Sequence, residues 1–156
     1  MTHQENRTLK FALAALYVLA VGTHASAAPL KNLAPLAKIT ANSEYNSSYL
    51  AKFVADGKIP GAGAGRDLER AWVVKGDTHR NGAEITFQWP AEITVAEIVY
   101  YGRTAFETGE NWKGYEVYLD SNSTPAVKGT LKSGHGPQGI KLARATKLKQ
   151  IRIKFT

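Results

Sequence analysis

The chain has no cysteine among its 156 residues. That removes thiol catalysis and cysteine-ligated zinc, and it removes a disulfide frame, so stability rests on packing with or without a bound ion. Histidine is nearly as scarce. Of four in the sequence, His3 and His24 belong to the first thirty residues, leaving His79 and His135, both in glycine-flanked loops. Two separated histidines without a cysteine are a poor zinc site. No local pattern of a nucleophile with its base, or of a paired acid and base, is present, so nothing argues for an enzyme. The segment PGAGAG (residues 60–65) has glycines at alternate positions but does not join a strand to a helix, which argues against a nucleotide cradle.

Long apolar runs are missing too. The one candidate, Phe11 to Val21, follows Arg7 and Lys10 and leads to Ala25, Ser26 and Ala27. About a dozen apolar residues fall short of the roughly 20 that span hydrocarbon, so no membrane span is expected. A basic start, a short apolar run and small residues are instead the signature of an export signal. We expect residues 1–27 to be cleaved as a signal peptide, and residues 28–156 to form one domain in a secreted, periplasmic or cell-surface location. Export, in turn, argues against a nucleic-acid partner.

Acidic residues are outnumbered, 13 Asp and Glu against 20 Lys and Arg, for a net charge of +7. Much of the excess is close to the C-terminus, at Lys141, Arg144, Lys147, Lys149, Arg152 and Lys154. Such a stretch could attract acidic polymers or a cell surface. Because the charges alternate with apolar residues, it reads better as the solvated face of an outer strand.

What the chain does have is period-two patterning. In EITFQW, Ile85, Phe87 and Trp89 share one face against Glu84, Thr86 and Gln88, after which Pro90 stops the ladder. TVAEIVYYGR is denser in apolar residues, YEVYLD alternates again, and KQIRIKF sets Ile151, Ile153 and Phe155 against Gln150, Arg152 and Lys154. Shorter strands are expected at AKITA, AWVV, Val127 to Leu131 and Ile140 to Ala143. Tyr49 and Phe53 are spaced for one helical turn before a turn at Asp56 and Gly57. About eight short strands and no long amphipathic helix indicate an all-β sandwich or jelly roll.

Loops of such a scaffold carry recognition. The loops here hold Asp77, His79, Arg80 and Asn81; Arg103, Phe106, Glu107 and Trp112; and His135 with Gln138. A sugar presents an apolar face that stacks on an aromatic ring and hydroxyls that need fixed donors and acceptors, which Arg, His and Asn supply. Trp72 and Trp89 read as core. For Trp112, ligand contact and loop packing are balanced, and Arg103 is either a ligand contact or the ion-pair partner of Glu107.

The order of AKITANSEYNSSYLAKFVADG, a loop ending in AW, EITFQWPAEITVAEIVYYGR, YEVYLD and KQIRIKF resembles the discoidin, or coagulation-factor C-type, domains and the related family 32 carbohydrate-binding modules of the galactose-binding-like superfamily. The resemblance implies an eight-stranded antiparallel jelly-roll sandwich that binds a glycan through loops at one end, without catalysis. On it, Arg103 is the sugar-contacting arginine and His79 a companion; the loop reading adds Trp112 or Phe106 as a stacking ring and Arg80 as a further contact. It also implies a structural Ca2+ at the Asp56 carboxylate and the Phe53 carbonyl, a donor set for a hard cation. The loop KIPGAGAGRDLERA departs from the family's short connection. Relatives generally carry one more strand with a Gly and a Glu, so the chain reads either as a fragment of a longer protein, the favoured expectation and one that leaves room for a catalytic domain in the parent, or as a sheet with an open edge.

Overall fold

Two strands of 19 residues carry the architecture, β2 (Ala83–Tyr101) and β5 (Pro137–Phe155). They pair antiparallel along their whole length, from Ala83 opposite Phe155 to Tyr101 opposite Pro137. Around this ribbon stand β1 (Lys38–Ala41), β3 (Gly114–Leu119) and β4 (Val127–Thr130), in the order β1-β2-β5-β3-β4 with every pair antiparallel. This computed structural model describes residues 31–59, 61–79, 81–105 and 110–156. The signal-peptide expectation for residues 1–27 lies outside them.

The ribbon does not run straight. Tyr100 is at one end and Phe155 at the other, so at about 3.3 Å per residue a straight ribbon would hold them roughly 55 Å apart. Their ring centroids are 5.9 Å apart. The two halves are therefore folded over on each other, with the ladder interrupted between Gln88 and Ile93 and again between Val95 and Glu97. Pro90, which has no N–H to give a ladder, falls in the first interruption. Folding over makes two antiparallel layers, a jelly-roll-like β-sandwich, and brings both ribbon ends to one pole.

The core is where the alternation put it. Ile85, Trp89, Val117, Ile140, Leu148, Ile151, Ile153 and Phe155 are buried in one cluster, with Trp72, Tyr100 and Trp112 packed against it. Trp89 keeps its indole N–H satisfied by the Leu33 carbonyl at 2.9 Å, and Trp72 gives its own to Ser43 at 2.8 Å. Both therefore pack as expected. The turn at Tyr49 and Phe53 forms a short 3-10 helix, Ala51–Ala55.

The expected eight strands become five among the described residues. EITFQW and TVAEIVYY are one strand bent at the proline, and the segment at Ile140 to Ala143 merges with KQIRIKF into β5. AWVV joins no sheet. The Val73 carbonyl accepts from the Tyr45 N–H at 2.7 Å and the Val73 N–H reaches Tyr49 at 3.4 Å, so a neighbouring loop takes these backbone groups.

Half of the six basic residues of the C-terminal strand are matched by acidic neighbours. Lys154 stands opposite Glu84 on β2 and Glu116 on β3, and Lys141 opposite Glu97. Arg152 bonds Glu84 at 3.1 Å and lies 4.0 Å from the Tyr118 ring centre. Directly opposed unlike charges stabilise a sheet by tenths of a kcal/mol, up to ~1, per pair. Arg144, Lys147 and Lys149 are exposed near the bend. Among the described residues no helix is long and apolar enough to cross a membrane.

Candidate binding site at the folded pole

Arg103 leaves the end of β2 and enters a cluster that fixes it from several sides. Its Nε donates to Asp67 Oδ2 at 2.5 Å and its Nη2 to Asp67 Oδ1 at 3.2 Å, a two-point ion pair. Nη1 donates to Glu110 Oε2. The guanidinium carbon lies 5.4 Å from the Tyr49 ring centre. Asp67's side chain is fully buried, Arg103's is 17% exposed and Glu110's 52%. The cluster thus runs from core to solvent along one line, Asp67, Arg103, Glu110.

Burial works against the charged guanidinium, but the hydrogen bond and charge of Asp67, with the charge of Glu110, outweigh it and raise Arg103 above its ordinary value. Desolvation, then the Asp67 carboxylate, pushes the Tyr49 phenol up as well. Arg103 is a permanent cation in this setting.

Asp67 reaches Arg103 because of the glycine-rich loop before it. The Gly63 N–H bonds the Thr104 carbonyl at 2.8 Å and the Gly65 N–H the Ala105 carbonyl at 2.7 Å, so the loop lies along the chain just past Arg103. Gly63 and Gly65 hold φ of +62° and +65°, where a side chain is strained, which is why glycines alternate there. Across the cluster, Thr104 Oγ1 and His135 Nδ1 are 3.0 Å apart, which brings the loop after β4 to the same place. Gly102 is equally constrained, since a Cβ there would fall 2.5 Å from Asn111 Oδ1.

Of the residues expected at the site, Arg103 is central, and among the described residues it is ion-paired with Asp67 and Glu110; Glu107, Phe106 and Arg80, and with Glu107 the expected ion pair, lie outside the described residues. His79 ends a short helical turn, Gly76–His79, just ahead of β2, and its Nδ1 is 2.8 Å from Thr78 Oγ1. Trp112 is half-buried, stacked on Phe155 at 5.5 Å and 6.2 Å from Trp72, and these are packing contacts. Asp67, Tyr49 and Glu110 were not expected. The one available signal for Asp67 was its place in the loop that departs from the family pattern.

At the turn after the Ala51–Ala55 helix, Asp56 Oδ1 accepts the Lys58 N–H at 2.9 Å and Oδ2 lies 3.7 Å from Lys58 Nζ. The Asp56 carboxylate, engaged by Lys58, and the Phe53 carbonyl would supply part of the six to eight oxygens calcium takes. Among the described residues no three His, Asp or Glu cluster as metal ligands.

The architecture is matched among solved structures. The Clostridium perfringens module CpGH89CBM32-5, in complex with GalNAc-β-1,3-galactose, is 21% identical with a TM-score of 0.61, over 79% of this chain and 86% of that one. The family 32 module of C. perfringens NanJ, in complex with galactose, is 17% identical with a TM-score of 0.62, over 79% and 84%. A putative α-L-fucosidase of Bacteroides thetaiotaomicron is 19% identical with a TM-score of 0.60, the match covering 81% of this chain and 25% of that one. The chain therefore shares the fold of these family 32 modules. No curated protein matches it. A family model does match, over residues 32–156, and the protein belongs to that family, described as a domain of unknown function (DUF7402).

Proposed function

We propose that this protein is a non-catalytic carbohydrate-binding module that takes a glycan at the Arg103 pole. One observation carries the reading: a partly open guanidinium held in place by a buried carboxylate, at the end of a sandwich where several loops converge. A donor fixed before the ligand arrives loses little entropy on binding. Glu110 beside it is an acceptor, so a sugar hydroxyl can donate to one and accept from the other. His79, Trp112, Phe106 and Arg80 complete the proposed contacts, a ring among them stacking on the sugar face. Export after removal of residues 1–27 and attachment to a catalytic domain belong to the same proposal. Support for the latter is the fucosidase, only a quarter of which matches this chain.

Arg103→Lys is the sharper test, because it leaves a cation for Asp67 and removes the planar fork. On a glycan array followed by titration calorimetry, affinity should drop by about 10- to 100-fold, the equivalent of losing hydrogen bonds worth roughly 1–3 kcal/mol. Equal binding by the variant would remove the site. A rival reading uses the exposed Arg144, Lys147 and Lys149 to hold a protein or cell surface. Binding of that kind weakens steeply as salt rises past 0.1 M, where screening reaches about 10 Å, whereas a sugar stack is nearly indifferent.

Calcium enters as a proposal of its own. An ion on Asp56 and the Phe53 carbonyl has to displace the Lys58 ammonium, and would then tie the turn to its helix. The expected result is a melting temperature higher in calcium chloride than in EDTA, a difference lost in Asp56→Asn. Equal melting in both would remove the ion.

A further inference from the structure

We infer that Glu110 is a specificity-determining residue that closes this pole to acidic glycans, an inference that rests on the carbohydrate reading above. The chain as a whole is strongly basic, at +7, and would draw anionic polymers by long-range attraction. Immediately around the Arg103 guanidinium, the ion-pair partners among the described residues are both acidic. Asp67, fully buried, matches the guanidinium's charge from the inside through Nε and Nη2. The outward-turned Nη1 then meets a second carboxylate, Glu110, whose side chain is half open to solvent. Among the described residues, one guanidinium ion-paired with two carboxylates leaves this trio one negative charge in excess.

That arrangement distinguishes ligands by what they can give. A hydroxyl both donates and accepts, so it can enter between Arg103 and Glu110 and satisfy both. An ammonium on an amino sugar can donate to Glu110. A uronate or sialate carboxylate only accepts, so it must expel Glu110 to reach Nη1 and then stands beside Asp67 with one cation between two anions. Near a protein surface, like charges a few ångströms apart repel enough to lower affinity about tenfold or more. Glu110 thus selects neutral and amino glycans, while the exposed Arg144, Lys147 and Lys149 lie on the β5 segment and do not enter this balance.

Matched probes test this without knowing the natural ligand: galactotriose against trigalacturonate, and lactose against 3′-sialyllactose, by calorimetry at 0.15 M salt with wild type and Glu110→Gln. The wild type should prefer the neutral member of each pair by tenfold or more, and the variant should narrow that ratio by about tenfold. Equal affinity for both members in the wild type, or an unaltered ratio in the variant, overturns the inference. If instead wild type binds no neutral glycan, here or across an array, the carbohydrate reading itself falls; the neutral arm separates that failure from a failure of selectivity.

Discussion

Phe155→Ala is expected to lower stability by about 3–5 kcal/mol, the range for emptying a well-packed aromatic site. Phe155 is 5% exposed, and its ring touches those of Trp112, Tyr100 and Trp72 at 5.5, 5.9 and 6.1 Å. These neighbours come from three parts of the chain, so the ring sits where the folded-over ribbon closes on itself. Burial there also pushes the Tyr100 phenol up to about 12, against the opposing effect of a backbone hydrogen bond at Trp112. Against a total stability of about 5–15 kcal/mol, the loss is large enough to lower the melting temperature by more than ~10 °C. Urea unfolding followed by fluorescence and circular dichroism measures it. A midpoint equal to wild type would mean the two layers do not depend on this closure.

That closure was only half legible in the sequence. Ile85, Phe87 and Trp89, and Ile151, Ile153 and Phe155, announced their shared faces by alternation, and five of these six are buried in the core cluster while Phe87 is partly buried against it. What alternation cannot show is where a strand bends. Period-two patterning is a local signal, and a strand interrupted at Pro90 or near Lys147 reads as two strands, since the register that joins them lies on the partner. AWVV failed for a related reason. Its apolar content suits a strand, but its backbone groups are claimed by residues 45 to 49, a competition set by tertiary contacts.

The site was legible in its anchor and not in its support. Arg103 was marked by its position at the end of a buried strand, and the family resemblance named it. Asp67 carried no comparable mark, because a carboxylate in a glycine-rich loop with Arg66, Glu69 and Arg70 around it reads as solvated. Buried Asp is rare unless paired, so its role depends on Arg103 arriving from 36 residues away. Tyr49 was read as helical spacing and proves to be the ring against which the guanidinium lies. Trp112 packs on Phe155 because its loop returns to the core there, while the ring stays half-buried.

Asp67→Asn should separate holding Arg103 from merely folding. The substitution keeps shape and removes charge, leaving a largely enclosed guanidinium with only Glu110 as its anionic partner among the described residues. Removing one member of a buried pair typically costs 3–5 kcal/mol; because Arg103 is still 17% exposed and can turn toward water, the lower end, about 3 kcal/mol, is expected. That corresponds to a melting temperature lower by roughly 10 °C. Measured well below that temperature, where the variant is folded, glycan affinity should still be down by more than tenfold, since the donor is no longer fixed before binding. If the variant melts like wild type, Asp67 does not carry the pair. If it melts low yet binds glycan as tightly as wild type, Asp67 supports the fold alone, and the orientation of Arg103 is set by Tyr49 and Glu110 instead.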